Sequence, residues 1–518
     1  MKKKIFTRQS LLIITITLAA CLGSCNNLDE DVYSAETTDN FYQNADQVLA
    51  AFVLPYSFMQ THIYQTHFAL QEFSTDEAVV PVRYGYVDQE GAWLRFHRHT
   101  WTSSDFWILL EWQNLYQAIG YCNYFIDGIE DKDLSGMDLP ISKEQMIAEI
   151  KMVRALHYYW ALSNFGNIPV VEHVGEVSPP TRPGAEVFAF IEKEIQDNLP
   201  LLSEKGDAGW YGHFTKSAAH ALLAKLYLNA KWITGQERWA DCIEACDAII
   251  DADFTLDANW NDPFLVNNEW SNENIYVVPF DASNANQFNF VEQNFHENIL
   301  FARYNVEYYG WHKISTQESF YDLYQPNDYR INQWVVGPQT YVDENGDEQD
   351  ILDWNGEPMT VTPYIDMLVN NEGGEAQGAM NAKYEIEVGG LSSMSNDMVV
   401  FRLADILLMK AECLMRLNED EATQDAVDLV NAVRQRSFDE ADWDDAAYTT
   451  ASLTLDELLD ERGRELAYEM HRREDLIRFG KFDDEWWEKP ASDEDRKFYP
   501  IPFNAITANP ELDQNPGY

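Results

Sequence analysis

SLTLDELLDERGRELAYEMHRREDLIRFGK, residues 452–481, sets a helical apolar stripe among five arginines in a chain otherwise short of positive charge. Leu455, Leu459, Leu466, Met470 and Ile477 recur at helical spacing, which predicts one long helix. Thr454 is placed to cap it, Glu457 to close a capping box, and Leu453 and Leu458 to pack as a staple. Gly480 suits a left-handed stop, with Lys481 beside the last carbonyls. Arg462, Arg464, Arg472, Arg473 and Arg478 have Glu461, Glu465, Glu469 and Asp475 three or four residues away. A guanidinium is a rigid fork of donors suited to carboxylates and helix-end carbonyls. The interleaved acids therefore predict an interior clamp between helix ends rather than an anion site.

Upstream, Thr215–Asp251 and Met398–Arg436 each read as a helix–turn–helix of tetratricopeptide length, with alanines where paired helices must approach closely. Looser versions pair Phe41–Gln60 with Trp107–Ile129, and Glu144–Phe165 with Arg182–Leu199. The expected class is all-α: four tetratricopeptide-like helical hairpins forming a scaffold over residues 40–254 and 396–518. Residues 255–395 lose helical periodicity and predict an inserted, loop-rich subdomain with short strands, among them Asn274–Phe280. Asn345-Gly346 signals a hairpin turn. Asp343, Asn345 and Asp347 are also calcium-type oxygens, but the usual trailing Glu is missing, which favours the turn.

Glu461-Arg462, Arg464 to Glu469, Arg472, Asp475-Leu476, Arg478 and Gly480-Lys481 together resemble the C-terminal signature of the SusD/RagB family, outer-membrane lipoproteins of Bacteroidetes-type glycan uptake systems. Phe498–Tyr518 is similar to that family's terminus, and RALHYYWALSNFGNIPVV, Arg154–Val171, to a motif closing the second hairpin's first helix. Where many members carry an aromatic after the second arginine, this chain has Arg473 and Glu474. The resemblance spans essentially the whole mature chain. It implies a binding protein rather than an enzyme, with no cofactor and an oligosaccharide as ligand. It also implies a SusC-like TonB-dependent transporter as partner and a lipid anchor in the outer membrane at the cell surface.

Composition agrees with an exported protein. MKKKIFTR and the apolar Leu11–Ala20, too short to span a bilayer, read as a signal peptide. LAAC at Cys21 and LGSC at Cys25 each resemble a lipobox; the polar CNNLDED that follows favours Cys25 as the lipidated residue, with Cys21 the alternative. Residues 1–25 are thus expected to be removed or processed, leaving 26–518. The net charge, 36 − 87 = −51, repels nucleic acid and anionic headgroups. Cys122, Cys242, Cys246 and Cys413 fit no metal spacing and read as small buried residues, their even number leaving a disulfide possible.

GxSxG, HExxH, GxGxxG and phosphate-loop motifs are all missing, and 87 carboxylates make any glycosidase pair uninformative. Aromatics say more, because an exposed indole or phenol face matches the C–H face of a sugar ring. The loop between the first two helices holds Asp76, Arg83, Tyr84, Tyr86, Trp93, His97, His99 and Trp101. Trp93 is expected as a stacking platform with Asp76 and Arg83 on hydroxyls, and Trp101 as the more buried indole. Tyr308, Tyr309, Trp311 and His312 form a second cluster, with Trp334 and Trp354 weaker candidates. In the family, these two regions meet across a shallow groove. Tyr158, Tyr159, Trp160, Trp486 and Trp487 read as core. The leading function is glycan capture for a TonB-dependent transporter, neutral glycans being favoured by the charge. Peptide cargo, a helical glycoside hydrolase and an intracellular tetratricopeptide scaffold are the alternatives.

Overall fold

A computed structural model describes residues 41–83, 91–207, 209–284, 288–306, 310–369 and 374–518. Cys21, Cys25, Tyr84, Tyr86, Tyr308 and Tyr309 lie outside the described residues. The chain is mostly helical with small two-stranded sheets, the all-α class expected. Helix α1 (Ala45–His62) runs into a π-helical turn, Ile63–His67, that packs on α2 (Phe106–Ile129). Helix α3 (Lys143–Phe165) packs between α2 and α4 (Gly184–Asn198). Then α5 (Lys216–Leu228) pairs with α6 (Trp239–Ile250), α6 with α7 (Leu403–Leu417), and α7 with α8 (Gln424–Gln435). Ser142, Thr215 and Thr423 cap α3, α5 and α8 through side-chain oxygens that accept backbone amides. Ala218, Ala221, Ala224 and Ala245 are fully or nearly buried in the α5–α6 seam. The four cysteines named above are buried and free.

Strand β1 (Asn274–Val278) falls inside the expected strand, and pairs antiparallel with β2 (Met398–Arg402). That second strand corrects the helix expected from Met398: the fully buried Met-Val-Val-Phe run suits a pleated surface better than a helix. The Asn345-Gly346 hairpin joins Thr340–Val342 to Glu348–Asp350, with Asp343 Oδ1 accepting the Asn345 and Asp347 amides at 2.9 and 3.0 Å.

The predicted long helix is two. Helix α9 (Leu455–Leu466) is capped by Thr454 as expected, but it stops, and α10 (Arg472–Arg478) starts afresh. Between them Tyr468 and Met470 hold left-handed φ of 61° and 65°. Each such residue costs on the order of 1–2 kcal/mol. Two long-range bonds offset this: the Tyr468 amide donates to Glu77, and the Met470 amide to Glu72 Oε1 at 2.6 Å. Burial holds Glu72 protonated, its pKa raised to about 8.

The arginines are an interior clamp. Arg330 reaches Glu461 at 2.8 Å and Glu465 at 2.9 Å; Arg402 reaches Glu273 at 2.7 Å and Glu469 at 2.6 Å. Arg462 pairs with Asp405 and Asp475, and Arg478 with Glu412 and Asp475, through side chains at most 2 % exposed. Burial alone would raise the Glu461 pKa, but Arg330, Arg434 and Arg464 outweigh it and hold it at about 2. A carboxylate depressed from about 4.3 in the unfolded chain contributes stability above that value and loses it as pH falls toward 2. Denaturant midpoints should therefore drop progressively between pH 4.5 and 2. Glu461→Gln should cost about 3–5 kcal/mol at pH 7, since it strands buried guanidinium charge, and should flatten that acid limb. An unchanged limb in the variant would show that Glu461 is not a linked group.

Candidate ligand-binding site

Two distant segments meet in the candidate site because of short-range backbone pairing. Ala78–Val79 runs antiparallel to Ser315–Thr316, and Trp311 pairs with His296. Gly310 is required there: a Cβ would collide with the Phe295 carbonyl oxygen. Arg83 then staples the loops. Its Nε donates to Gly374 O at 2.9 Å, Nη1 to His312 O at 2.6 Å, and Nη2 to Ser315 Oγ at 2.8 Å and to Gln377 O.

These contacts enclose a cavity of about 440 Å³ walled by Phe73, Trp93, Trp107, Trp311, Lys313 and Trp354, with Arg83 and His312 also in its lining. The indoles differ in role. Trp93 is only 3 % exposed and packs edge-on to Phe73 at 5.0 Å and against Trp107 at 4.6 Å. Trp311 and Trp354 are 46 % and 43 % exposed. Trp354 is oriented by Glu297, which accepts from its Nε1 at 2.9 Å, and by the His296 ring at 4.7 Å. Lys313 Nζ lies 4.3 Å from the Trp93 ring centroid and 5.5 Å from those of Phe73 and Trp107. Burial among the rings pulls its pKa down to about 7. Burial, reinforced by Arg83, pushes His312 well below its ordinary value, so its imidazole is neutral.

Several expectations need correction. Trp93 lines the cavity as a buried wall, not as an open platform, because Phe73, Trp107 and Lys313 cover it. Asp76 is away from the cavity lining; its carboxylate forms a two-pronged ion pair with Arg472 at 2.7 Å. Arg83 lines the cavity but gives its donors to protein oxygens rather than leaving them open for hydroxyls. Trp101 is 1 % exposed, donates to the Tyr518 hydroxyl and packs on Tyr499, which places it in the core. His97 and His99 bind the Trp487 and Ser74 carbonyls, and Trp334 is buried against Tyr468. Tyr158, Tyr159 and Trp160 are core, whereas Trp486 and Trp487 are partly exposed. Sequence reasoning missed Lys313, Phe73 and Trp107. The signal available was the Gly-Trp-His-Lys run, in which a lone lysine follows three site-forming residues.

A model described as "SusD family" matches residues 253–495, and one described as "Starch-binding associating with outer membrane" matches residues 26–228. The chain belongs to the SusD/RagB family. Among SusD-family relatives, Starch-binding protein SusD of Bacteroides thetaiotaomicron is 25 % identical over 100 % of this chain and 99 % of its own length. A laminarin-binding SusD-like structure superposes with TM-score 0.69 at 22 % identity, covering 92 % of this chain and all of that one. Surface glycan-binding protein A of B. thetaiotaomicron in complex with laminarihexaose gives TM-score 0.67 at 18 % identity over 91 % of this chain and 99 % of that one.

The caged amine gives this SusD-family member a spectroscopic handle. After ¹³C reductive dimethylation, one lysine resonance should titrate near pH 7 and vanish in Lys313→Met, while exposed lysines titrate near their ordinary value of about 10.4. A single titration near 10 for every lysine would show that the cage does not desolvate Lys313.

Proposed function

We propose that the chain is a cell-surface lipoprotein, anchored through Cys25 or Cys21, that captures an oligosaccharide in the cavity and passes it to a SusC-like TonB-dependent transporter. The observation that carries the reading is the pair of half-exposed indoles, Trp311 and Trp354, at a cavity large enough for a few sugar rings. Its SusD-family relatives include starch- and laminarin-binding proteins, which supports a glycan as cargo. The wall contributes no Asp or Glu among the described residues, so a glycosidase has no acid–base pair there. Residues 255–395 supply Trp311, Lys313 and Trp354 and act as the ligand subdomain. The −51 charge disfavours a polyanion, so the backbone of the glycan is neutral. Peptide cargo is the second reading, favoured by the buried position of Trp93, which makes the site a cavity rather than an open shelf.

Calorimetry across glucans, mannans and other oligosaccharides should find a ligand whose affinity falls about tenfold, roughly 1.4 kcal/mol, in Trp311→Ala and in Trp354→Ala. Trp270→Ala, at an exposed indole outside the cavity, should leave it unchanged. Undiminished binding in both cavity variants would refute the site, and binding of peptides alone would replace the cargo. Co-purification with a large outer-membrane barrel checks the transport partner.

A further inference from the structure

Resting on that reading of the cavity, we propose that it selects a sugar bearing one anionic group, a uronate carboxylate or a sulfate ester, which pairs with Lys313 Nζ while Trp107 and His312 act as neutral donors beside it.

The argument starts from charge. With 87 acids and 36 bases, an unpaired cation is unexpected in this chain, and the other buried cations mostly conform. Lys383 pairs with Glu469, Lys225 with Glu474, and Arg330, Arg402, Arg462 and Arg478 with two or three carboxylates each, whereas buried Arg473 donates to the Ser163 and Lys497 carbonyls. Lys313 has no carboxylate partner among the described residues; its amine is held by three aromatic faces. Among the described residues Arg83, 4 % exposed, donates to three carbonyls and a hydroxyl and to no carboxylate. Two acids on segments that frame the cavity are committed elsewhere: Glu375 to His296 at 2.9 Å, and Glu297 to the Trp354 indole. Among the described residues the cavity lining thus holds basic groups and no acid, in a strongly negative protein.

A second observation is independent of charge. The Trp107 indole N–H makes no hydrogen bond, and the His312 ring, 2 % exposed, has only the Glu375 carbonyl as a weak polar neighbour, outside ordinary hydrogen-bond geometry. Buried polar atoms without partners are uncommon in a folded protein and mark a place where a polar group is expected to bind. An oxyanion accepts from an indole N–H, an imidazole N–H and an ammonium together; a methylene face satisfies none of them. Burial also penalises the charged amine, so an incoming anion restores the ammonium form that the empty cavity disfavours. The neutral backbone and the single charge are compatible. Surface repulsion acting over more than about 8–10 Å is screened at physiological salt, whereas one charge inside the cavity meets Lys313 and Arg83 first.

Matched probes separate this inference from the glycan reading beneath it. Neutral oligosaccharides of each backbone bound in the panel are compared with counterparts oxidised at C6 to uronates and with lightly sulfated ones. The proposal expects at least one acidic form to bind tenfold or more tightly than its neutral parent. Lys313→Met should erase that preference, so that acidic and neutral forms bind alike in the variant, and Lys313→Arg should retain it. The carboxylate and sulfate arms then say which anion is read. Equal binding of neutral and acidic forms, or a preference that survives Lys313→Met, would overturn the inference and leave glycan capture standing. Failure of every sugar, or binding only of peptides through a free carboxylate, would overturn both. Thermal melts of Lys313→Met check its folding, and an unchanged or higher midpoint is expected because an amine desolvated among aromatic rings is removed.

Discussion

The buried ion pairs between the arginines and the acids of α9 and α10 are the constraint on which the rest depends. Glu465 alone meets Arg330, Arg402 and Arg436, which arrive from the inserted region, the end of β2 and the end of α8. Replacing such a network by apolar groups can be neutral, but removing one member leaves a stranded charge. It therefore fixes geometry more than it adds stability.

That geometry reaches the cavity through one segment. Glu72, Asp76 and Glu77 bind Met470, Arg472 and Tyr468 at the break between α9 and α10. A few residues on, Ala78–Val79 pairs with Ser315–Thr316 and Arg83 ties three loops together. The clamp thus sets the root of the loop that supplies Phe73, Trp93 and Arg83 to the site. Asp76, expected to touch ligand, instead serves this anchoring.

Local signals in the sequence were faithful where the interactions are local. The Thr454 cap, the Asn345-Gly346 turn and the paired helices of residues 215–251 all follow from neighbours within a few positions. The break at Tyr468 was not legible, because the apolar stripe continues through Leu466, Met470 and Ile477 as if the helix did. What ends it is two glutamic side chains almost 400 residues away in sequence, at separations of 391 and 398. The site shows the same division. Aromatic density located its two halves, yet which indole is wall and which is rim depends on long-range packing. Trp93 is covered by Lys313, 220 positions later, and Trp101 by Tyr518 at the terminus.

A structure of the chain with its best-binding oligosaccharide tests the account most directly. The account predicts a sugar ring in the cavity against Trp311 or Trp354, with its acidic substituent on Lys313 Nζ. A ligand seated on another face, with the cavity holding none of it, would contradict the account.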